Sequence, residues 1–366
     1  MQASGCSQRV PTLSLELAAR LRDFAPMEER FAVVREQREQ SMRNRQQERP
    51  LWHAQYELAS RLTSQGGAPS VHHSAALAFI EGGAATGCTA EAVARHAAAL
   101  RASHFSEVFA YGNLLPAEAV ELGRKWRATL GAAPLAPTAA PMPVGELLAA
   151  ADEGGEAVRL TTTLVNADES NCGIEVHLQV AAAPSVADEA RLLALAQLAS
   201  KDAFHELRTV RQLGYVVQCG VRGIARARGL SVHIQSAVRT PPQLEAEIEE
   251  WLVSFRGGAL ANLTDTSLAE YTAAVAANLE EPPKRLSDET GSMWSEIVQR
   301  THRWDHARRL ADEVRAVTVP QLLEFFDLRM AEGAPQRRLI VSHAWSPNAA
   351  AADAAGALAD GGDEAA

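Results

Sequence analysis

One stretch constrains the fold of this chain more than any other: the run from Pro184 to Val217, where a long apolar helix hands over to a strand within a few residues. Pro184-Ser185-Val186-Ala187-Asp188-Glu189 opens it, with Ser185 as N-cap and two acids near the positive end of the helix dipole. An Ala/Leu run then carries the helix through Leu198, so Arg208 falls at its C-terminal end. After Gly214 the sequence turns β-branched, which places Tyr215 at the mouth of a strand continuing through Val216 and Val217. A guanidinium and a phenol seven residues apart can converge across such a bend. A cation and a hydroxyl so placed suit the carbonyl oxygens of a peptide.

The surrounding chain reads as α+β, a mostly antiparallel sheet backed by helices. Val158 to Val165 forms one expected strand. Ile174, Val176, Leu178 and Val180 alternate with Glu175, His177 and Gln179 in another, the pattern of a half-buried strand. Further strands are expected around Tyr215 to Cys219, Leu230 to Ala237 and Arg338 to His343. Helices are expected over about 243–255, 266–279, 289–299 and 319–330. Before residue 131 the pattern is helical: Leu13 to about Gln47, interrupted by Pro50, then Trp52 to Thr63, Thr89 to Leu100, and a helix from Pro116 to about Leu130. Phe105, Val108 and Tyr111 suggest a single strand.

With 366 residues the chain has room for about two domains. Residues 131–156, rich in Ala, Pro and Gly, read as the linker between an α-rich first domain (15–130) and an α+β second one (157–346). Residues 1–14 and the low-complexity acidic tail 347–366 read as unstructured. No apolar run of about 18 residues is present and the start lacks signal-peptide blocks, so a cytoplasmic protein without membrane contact is expected. The net charge of -10 argues against nucleic acid. Cys6, Cys88, Cys172 and Cys219 lie far apart with no CxxC pair, which fits a reducing compartment better than a disulfide framework or structural zinc. Cys172 and Cys219 read as small core hydrophobes. Arg208, Arg211, Arg222, Arg226 and Arg228 form a basic stretch with no acid between them, either a solvated loop or an attractant for acidic groups and carbonyls.

Leu207-Arg208-Thr209 followed by Gln212-Leu213-Gly214-Tyr215 and a β-branched pair resembles the signature of the insulysin branch of the pitrilysin-type (M16) zinc metallopeptidases. The resemblance extends to Asn171 through Glu175, Gly229-Leu230, Ile234 through Ser236, Pro283 through Ser287 and Trp294 through Ile297. More weakly it takes in Glu29 through Phe31 and Asn44 through His53, covering roughly residues 15 to 345. It implies two domains of the metallopeptidase-half type, similar to the second half of a protein built from two such halves, with the first domain incomplete. It further implies a substrate-binding half without zinc, in which Arg208 and Tyr215 reach a zinc site in the other half, grip substrate main chain and stabilise the oxyanion. Phe204 would line the pocket beyond the scissile bond. Lys284 and Arg285 match a basic pair associated with polyanion binding, although Pro282-Pro283 departs from that pattern. The implied partners are peptide substrates and a zinc-bearing half or subunit. The chain would then be a fragment, a separately encoded half, or a catalytically inactive structural or peptide-binding relative.

The inverted zinc motif of such enzymes, His-x-x-Glu-His, is absent. His302-Arg303-Trp304-Asp305-His306 copies its spacing, but Asp is a methylene short of the needed base, and a solvent-facing helix start is the expected role. His72-His73, His205 and His233 form no constellation, the last two being candidates for lining the site. No zinc is expected in this chain, and the resemblance implies it in the missing or partner half. After dialysis the isolated chain should carry well under one equivalent of zinc by metal analysis and cleave no peptide. A stoichiometric metal lost on changing His302 and His306 would overturn this.

Overall fold

The computed structural model describes residues 2–6, 8–63, 71–131, 133–134, 147–148, 150, 153–224 and 226–360. In chain order the helices and strands are α1 (Val10–Arg22), α2 (Glu28–Gln46), α3 (Pro50–Thr63), α4 (His73–Gly82), α5 (Ala90–Ala102), β1 (Ser103–His104), α6 (Pro116–Leu130), β2 (Ala133–Pro134), β3 (Val158–Thr163) and β4 (Cys172–Ala181). There follow α7 (Val186–Ala203), β5 (Val216–Ile224), β6 (Ala227–Ser236), α8 (Pro241–Phe255), α9 (Asp265–Glu280), α10 (Leu286–Val298), α11 (His306–Arg315), α12 (Val319–Arg329), β7 (Leu339–Trp345) and α13 (Pro347–Asp360). No helix among the described residues is long and apolar enough to cross a membrane. The chain divides into two compact units, one of Met1–Asn44, Val71–Met142 and Pro283–Thr301, the other of Arg45–Ser70, Pro143–Pro282 and His302–Ala366.

The first unit is helical, with β1 and β2 joined only by a short parallel pairing. Thr89 caps α5 by accepting from the Ala92 amide at 3.1 Å, and Pro116 opens α6. The helix expected over 13–47 is two helices: α1 ends at Asp23, whose amide bonds the Ala19 carbonyl, and α2 restarts at Glu28 after Pro26. Helix α1 begins at Val10, within the expected unstructured start, where Pro11 suits a first helical turn. Phe105 to Tyr111 is not a strand. Its aromatic side chains are spent on the segment around α10 instead, Phe109 stacking on Trp294 at 6.4 Å and Arg300 lying over the Phe105 ring at 5.0 Å.

The second unit holds a five-stranded sheet in the order β3-β7-β4-β6-β5, antiparallel except for the β3/β7 pair. Ser185 caps α7 through the Asp188 amide at 3.1 Å, as its position demands. Ile174, Val176, Leu178 and Val180 of β4 join Leu192, Leu195, Leu207, Trp251, Phe255 and Phe326 in the main core. Trp251 satisfies its indole N–H on Asp202 Oδ2 at 2.8 Å.

Strand β4 departs from the half-buried expectation: Glu175, His177 and Gln179 are 0% exposed. The cause is α3, which packs across that second sheet face within the second unit although it lies far upstream in sequence. Leu58 and Leu62 of α3 form a small core with Leu148, Ile224 and Ile340. Gly173 admits the helix, since a Cβ there would sit 2.7 Å from the Pro50 carbonyl carbon. The tail likewise differs from expectation: 347–360 is helical, because an Ala-rich run has the highest helix propensity and the Ser346 hydroxyl accepts from the Ala349 amide. Residues 361–366 and most of the expected linker lie outside the described residues.

If α3 is part of this core, Leu58→Ala should destabilise the second unit by about 2–5 kcal/mol in denaturant unfolding. A loss below about 0.5 kcal/mol would show that α3 lies on the sheet without stabilising it.

Candidate functional site

At Phe204 the α-helical ladder of α7 widens into a π-helical segment, Phe204–Val210. The Arg211 amide bonds the Glu206 carbonyl at 2.8 Å and the Leu213 amide the Leu207 carbonyl at 2.9 Å, closing the turn. Leu207 and Leu213, 0% and 1% exposed, anchor both ends of this turn in the core. Between them Gln212 takes φ 54°, a left-handed conformation that a non-glycine residue adopts only where its surroundings hold it. Gly214 then passes so close to β6 that a Cβ would lie 2.0 Å from the Gln235 carbonyl oxygen. Tyr215 follows immediately, before the Val216/Gln235 pair that starts the β5 ladder.

This turn brings the expected site residues together. The Arg208 guanidinium lies over the Phe204 ring at 4.9 Å and over the Tyr215 ring at 5.1 Å. Each such contact contributes about 0.5–1 kcal/mol at an exposed site, enough to orient the cation without consuming its N–H donors. Arg208 is half-buried, whereas Phe204 is 46% and Tyr215 84% exposed. Among the described residues no hydrogen bond or ion pair engages the Arg208 side chain or the Tyr215 hydroxyl. Neighbouring Arg211 is the contrast: its Nη1 is committed to Glu247 at 2.8 Å and Glu250 at 3.3 Å. Of two arginines three residues apart, one braces the fold, and the other's five donors are uncommitted among the described residues.

The remaining candidates scatter. His205 is exposed beside Glu206. His72 caps α4 through the Ser74 amide, and His73 is buried. His306 begins α11 and pairs with Glu189 at 3.0 Å, while His302 precedes the helix at φ 51°, so the two histidines do not share a helical face. Lys284 and Arg285 are exposed in the first unit, Arg285 at the N-cap of α10. Cys172 and Cys219 are buried, and burial pushes the Cys219 thiol up to about 12, the behaviour of a core residue. Among the described residues, no group of three or more His, Cys, Asp or Glu side chains could hold a metal.

His233, a candidate for lining the Arg208 site, belongs instead to a polar cluster under α3 that alternation alone did not reveal. Arg222 Nη1 donates to Glu175 Oε2, and Arg222 Nη2 donates to the Gln55 carbonyl of α3 at 3.0 Å. Ser231 donates to Glu175 Oε1 at 2.8 Å, and the His177 ring nitrogen Nδ1 stands 2.8 Å from the Ser231 hydroxyl. Burial raises the Glu175 carboxyl, against the opposing pull of Arg222. Burial first and the Arg222 charge second push His177 down to about 3 and His233 to about 4. The available signal was cross-strand: Glu175 faces His233, and His177 faces Ser231, on the same side of the sheet.

The rigidity of the turn is open to test at two glycines. Gly214→Ala should cost roughly 1–3 kcal/mol in thermal or denaturant unfolding, because backbone must move to relieve the overlap with Gln235. Gly220→Ala, where a Cβ would meet nothing within 4 Å, should be neutral or slightly stabilising. Equal effects would mean that Gly214 is not what holds Tyr215 in place.

The chain is similar in sequence and fold to known proteins. A family model described as PQQ synthase PqqF-like, C-terminal lobe domain 4, matches residues 194–294, a range that includes the turn. A nardilysin-like protein of Arabidopsis thaliana is 27% identical over 359 residues, 94% of this chain and 32% of the relative. Human insulin-degrading enzyme is 29% identical over 178 residues, 49% of this chain and 17% of the enzyme. The chain therefore spans a third or less of the length of these relatives. Among solved structures, pitrilysin superposes with a TM-score of 0.77 at 18% identity, over 93% of this chain and 34% of that one. A peptidase M16 inactive domain from Pseudomonas fluorescens gives 0.62 at 15% identity, over 93% and 76%. In family model, relatives and fold together, the chain is similar to the C-terminal half of insulysin-like M16 peptidases.

Proposed function

We propose that this chain is the substrate-binding half, without zinc, of an insulysin-like zinc metalloendopeptidase, and that Arg208 and Tyr215 act on peptide bound at a zinc site in the other half. The observation that carries this reading is the pair itself: a guanidinium steadied by two aromatic rings with its donors unspent, beside an exposed phenol on a pinned turn. Zinc in the complementary half would supply Lewis-acid and water-activating chemistry. Arg208 donates charge-assisted hydrogen bonds to substrate carbonyls before and during reaction, each worth roughly 1.5–3 kcal/mol. Tyr215 donates its O–H toward the oxyanion as charge develops, which favours the transition state over the ground state. Phe204 offers its exposed ring to a substrate side chain, and Lys284 and Arg285 offer a second contact for polyanions. A second reading is a catalytically inactive structural or peptide-binding protein, supported by the fold shared with the Pseudomonas fluorescens inactive domain.

In a complex with a zinc-bearing half, Tyr215→Phe should lower kcat by on the order of 10²-fold with little change in KM. Arg208→Ala should harm both parameters. Under the inactive reading the same complex shows no turnover above background, although the chain still binds peptide. If kcat/KM of both variants stays within a few fold while their melting temperatures fall, the two residues only pack and the assignment is wrong.

A further inference from the structure

Beneath α3 lies a sheet face that is unusually polar for a covered surface. Glu175, His177, Ser231 and Ser342 are each 0% exposed there, with His233 beside them. What fastens the helix to this face includes one bridging cation: Arg222 joins the Glu175 carboxylate of β4 to the Gln55 carbonyl of α3. The histidines are fitted tightly around that bridge. A Cβ on Gly229 would lie 2.7 Å from His177 Cε1, and His233 Nδ1 is 4.0 Å from Glu175 Oε1. His177 Nε2 and His233 Nδ1 are buried ring nitrogens with no hydrogen-bond partner among the described residues. Each is a base enclosed beside a fixed positive charge. The helix carries a buried histidine of its own, His53, 6% exposed.

We propose that α3 is a pH-responsive clasp, closed over the polar sheet face through Arg222 and released when the histidines of that face take up protons. Protonating His177 or His233 while α3 is closed would add a second cation beside Arg222 in a site with little water. Opening hydrates the new charge, so protons favour the open form. The charged and titratable groups facing these histidines are Glu175 on β4 and Arg222 on β5. Those facing His53 are Glu57 on α3 and Glu48 just before it. Burial lowers His177 to about 3 and His233 to about 4, and lowers His53 as well. All three therefore bind protons more readily open than closed below the ordinary histidine value of about 6.5. Glu175 works in the opposite sense, because burial raises its carboxyl in the closed form. With two sheet histidines against one carboxylate, opening should rise as pH falls below 6.5, by a few fold over the first unit and by about tenfold over the next, once the histidines of the open form are fully protonated.

Hydrogen-deuterium exchange of the full chain tests this, each amide rate being divided by its intrinsic rate at that pH. Protection of residues 50–63 should fall by a few fold from pH 6.5 to 5.5 and by about tenfold more from 5.5 to 4.5, while β4 (172–181) and α7 (186–203) stay protected. His177→Gln, or His233→Gln if the first does not fold, should flatten that dependence. Arg222→Gln should leave α3 open at pH 7.5 with the sheet intact. The proposal is overturned if α3 keeps constant protection over this range or loses it only together with β4 and α7. It is also overturned if the glutamine variants titrate like the wild type, or if Arg222→Gln leaves α3 closed.

Discussion

A carboxylate at the middle of a sheet has to be answered by charge, and Glu175 is answered by Arg222. Strand β4 is flanked by β7 and β6 and covered on both faces, so its side chains have no route to bulk water. A lone carboxylate there would be prohibitively costly. Arg222 and Ser231 make the position tolerable, and the second arm of Arg222 ties the pair to the backbone of α3. Such a pair is weak evidence for net stability, since desolvation offsets much of the attraction. Its structural effect is orientation. It sets where α3 lies, and α3 buries the face that makes the rest of the polar network an interior one.

The other side of the sheet works by apolar packing, and the candidate site depends on it. Leu207 and Leu213 are core residues first, buried with Leu195, Trp251 and Ile248. Because both are fixed, the turn between them has little freedom, and Gln212 is held at a positive φ that its side chain would otherwise disfavour. Arg208 and Tyr215 are therefore presented by a scaffold instead of a flexible loop, and their mutual contact through the phenol ring completes the arrangement. A well-packed core thus lies beneath a half-buried cation and an exposed hydroxyl, neither of them hydrogen-bonded among the described residues.

Much of this was legible in residues. Ser185 as N-cap, the end of α7 near Arg208 and the start of β5 after Gly214 follow from local chemistry, and the structure has them in those places. The convergence of Arg208 and Tyr215 was readable for the same reason, since they lie seven positions apart across one bend, whereas the contact of Arg208 with the Phe204 ring came from the structure. Where the reading departed from the structure, the deciding partner was distant. Glu175, His177 and Gln179 alternate like a solvent-facing row, yet α3, more than a hundred residues upstream, covers them. Phe105 to Tyr111 has strand composition, yet its rings are taken up by Trp294 and Arg300. Periodicity reports which residues share a face and carries no information about what lies opposite that face.

The sequence by itself determined the helix caps, the strand alternation, the break at Gly214 and the pairing of a cation with a phenol across it, because each is set by neighbours within a few residues. Only the tertiary structure decided which arginine stays free. Arg208 and Arg211 are alike in sequence terms, and the difference arises because Glu247 and Glu250 of α8 come within reach of one and not the other. It also decided that a row of polar side chains on β4 would be interior. A side chain's burial depends on contacts made by remote segments once the chain has closed on itself, and no local pattern encodes those contacts.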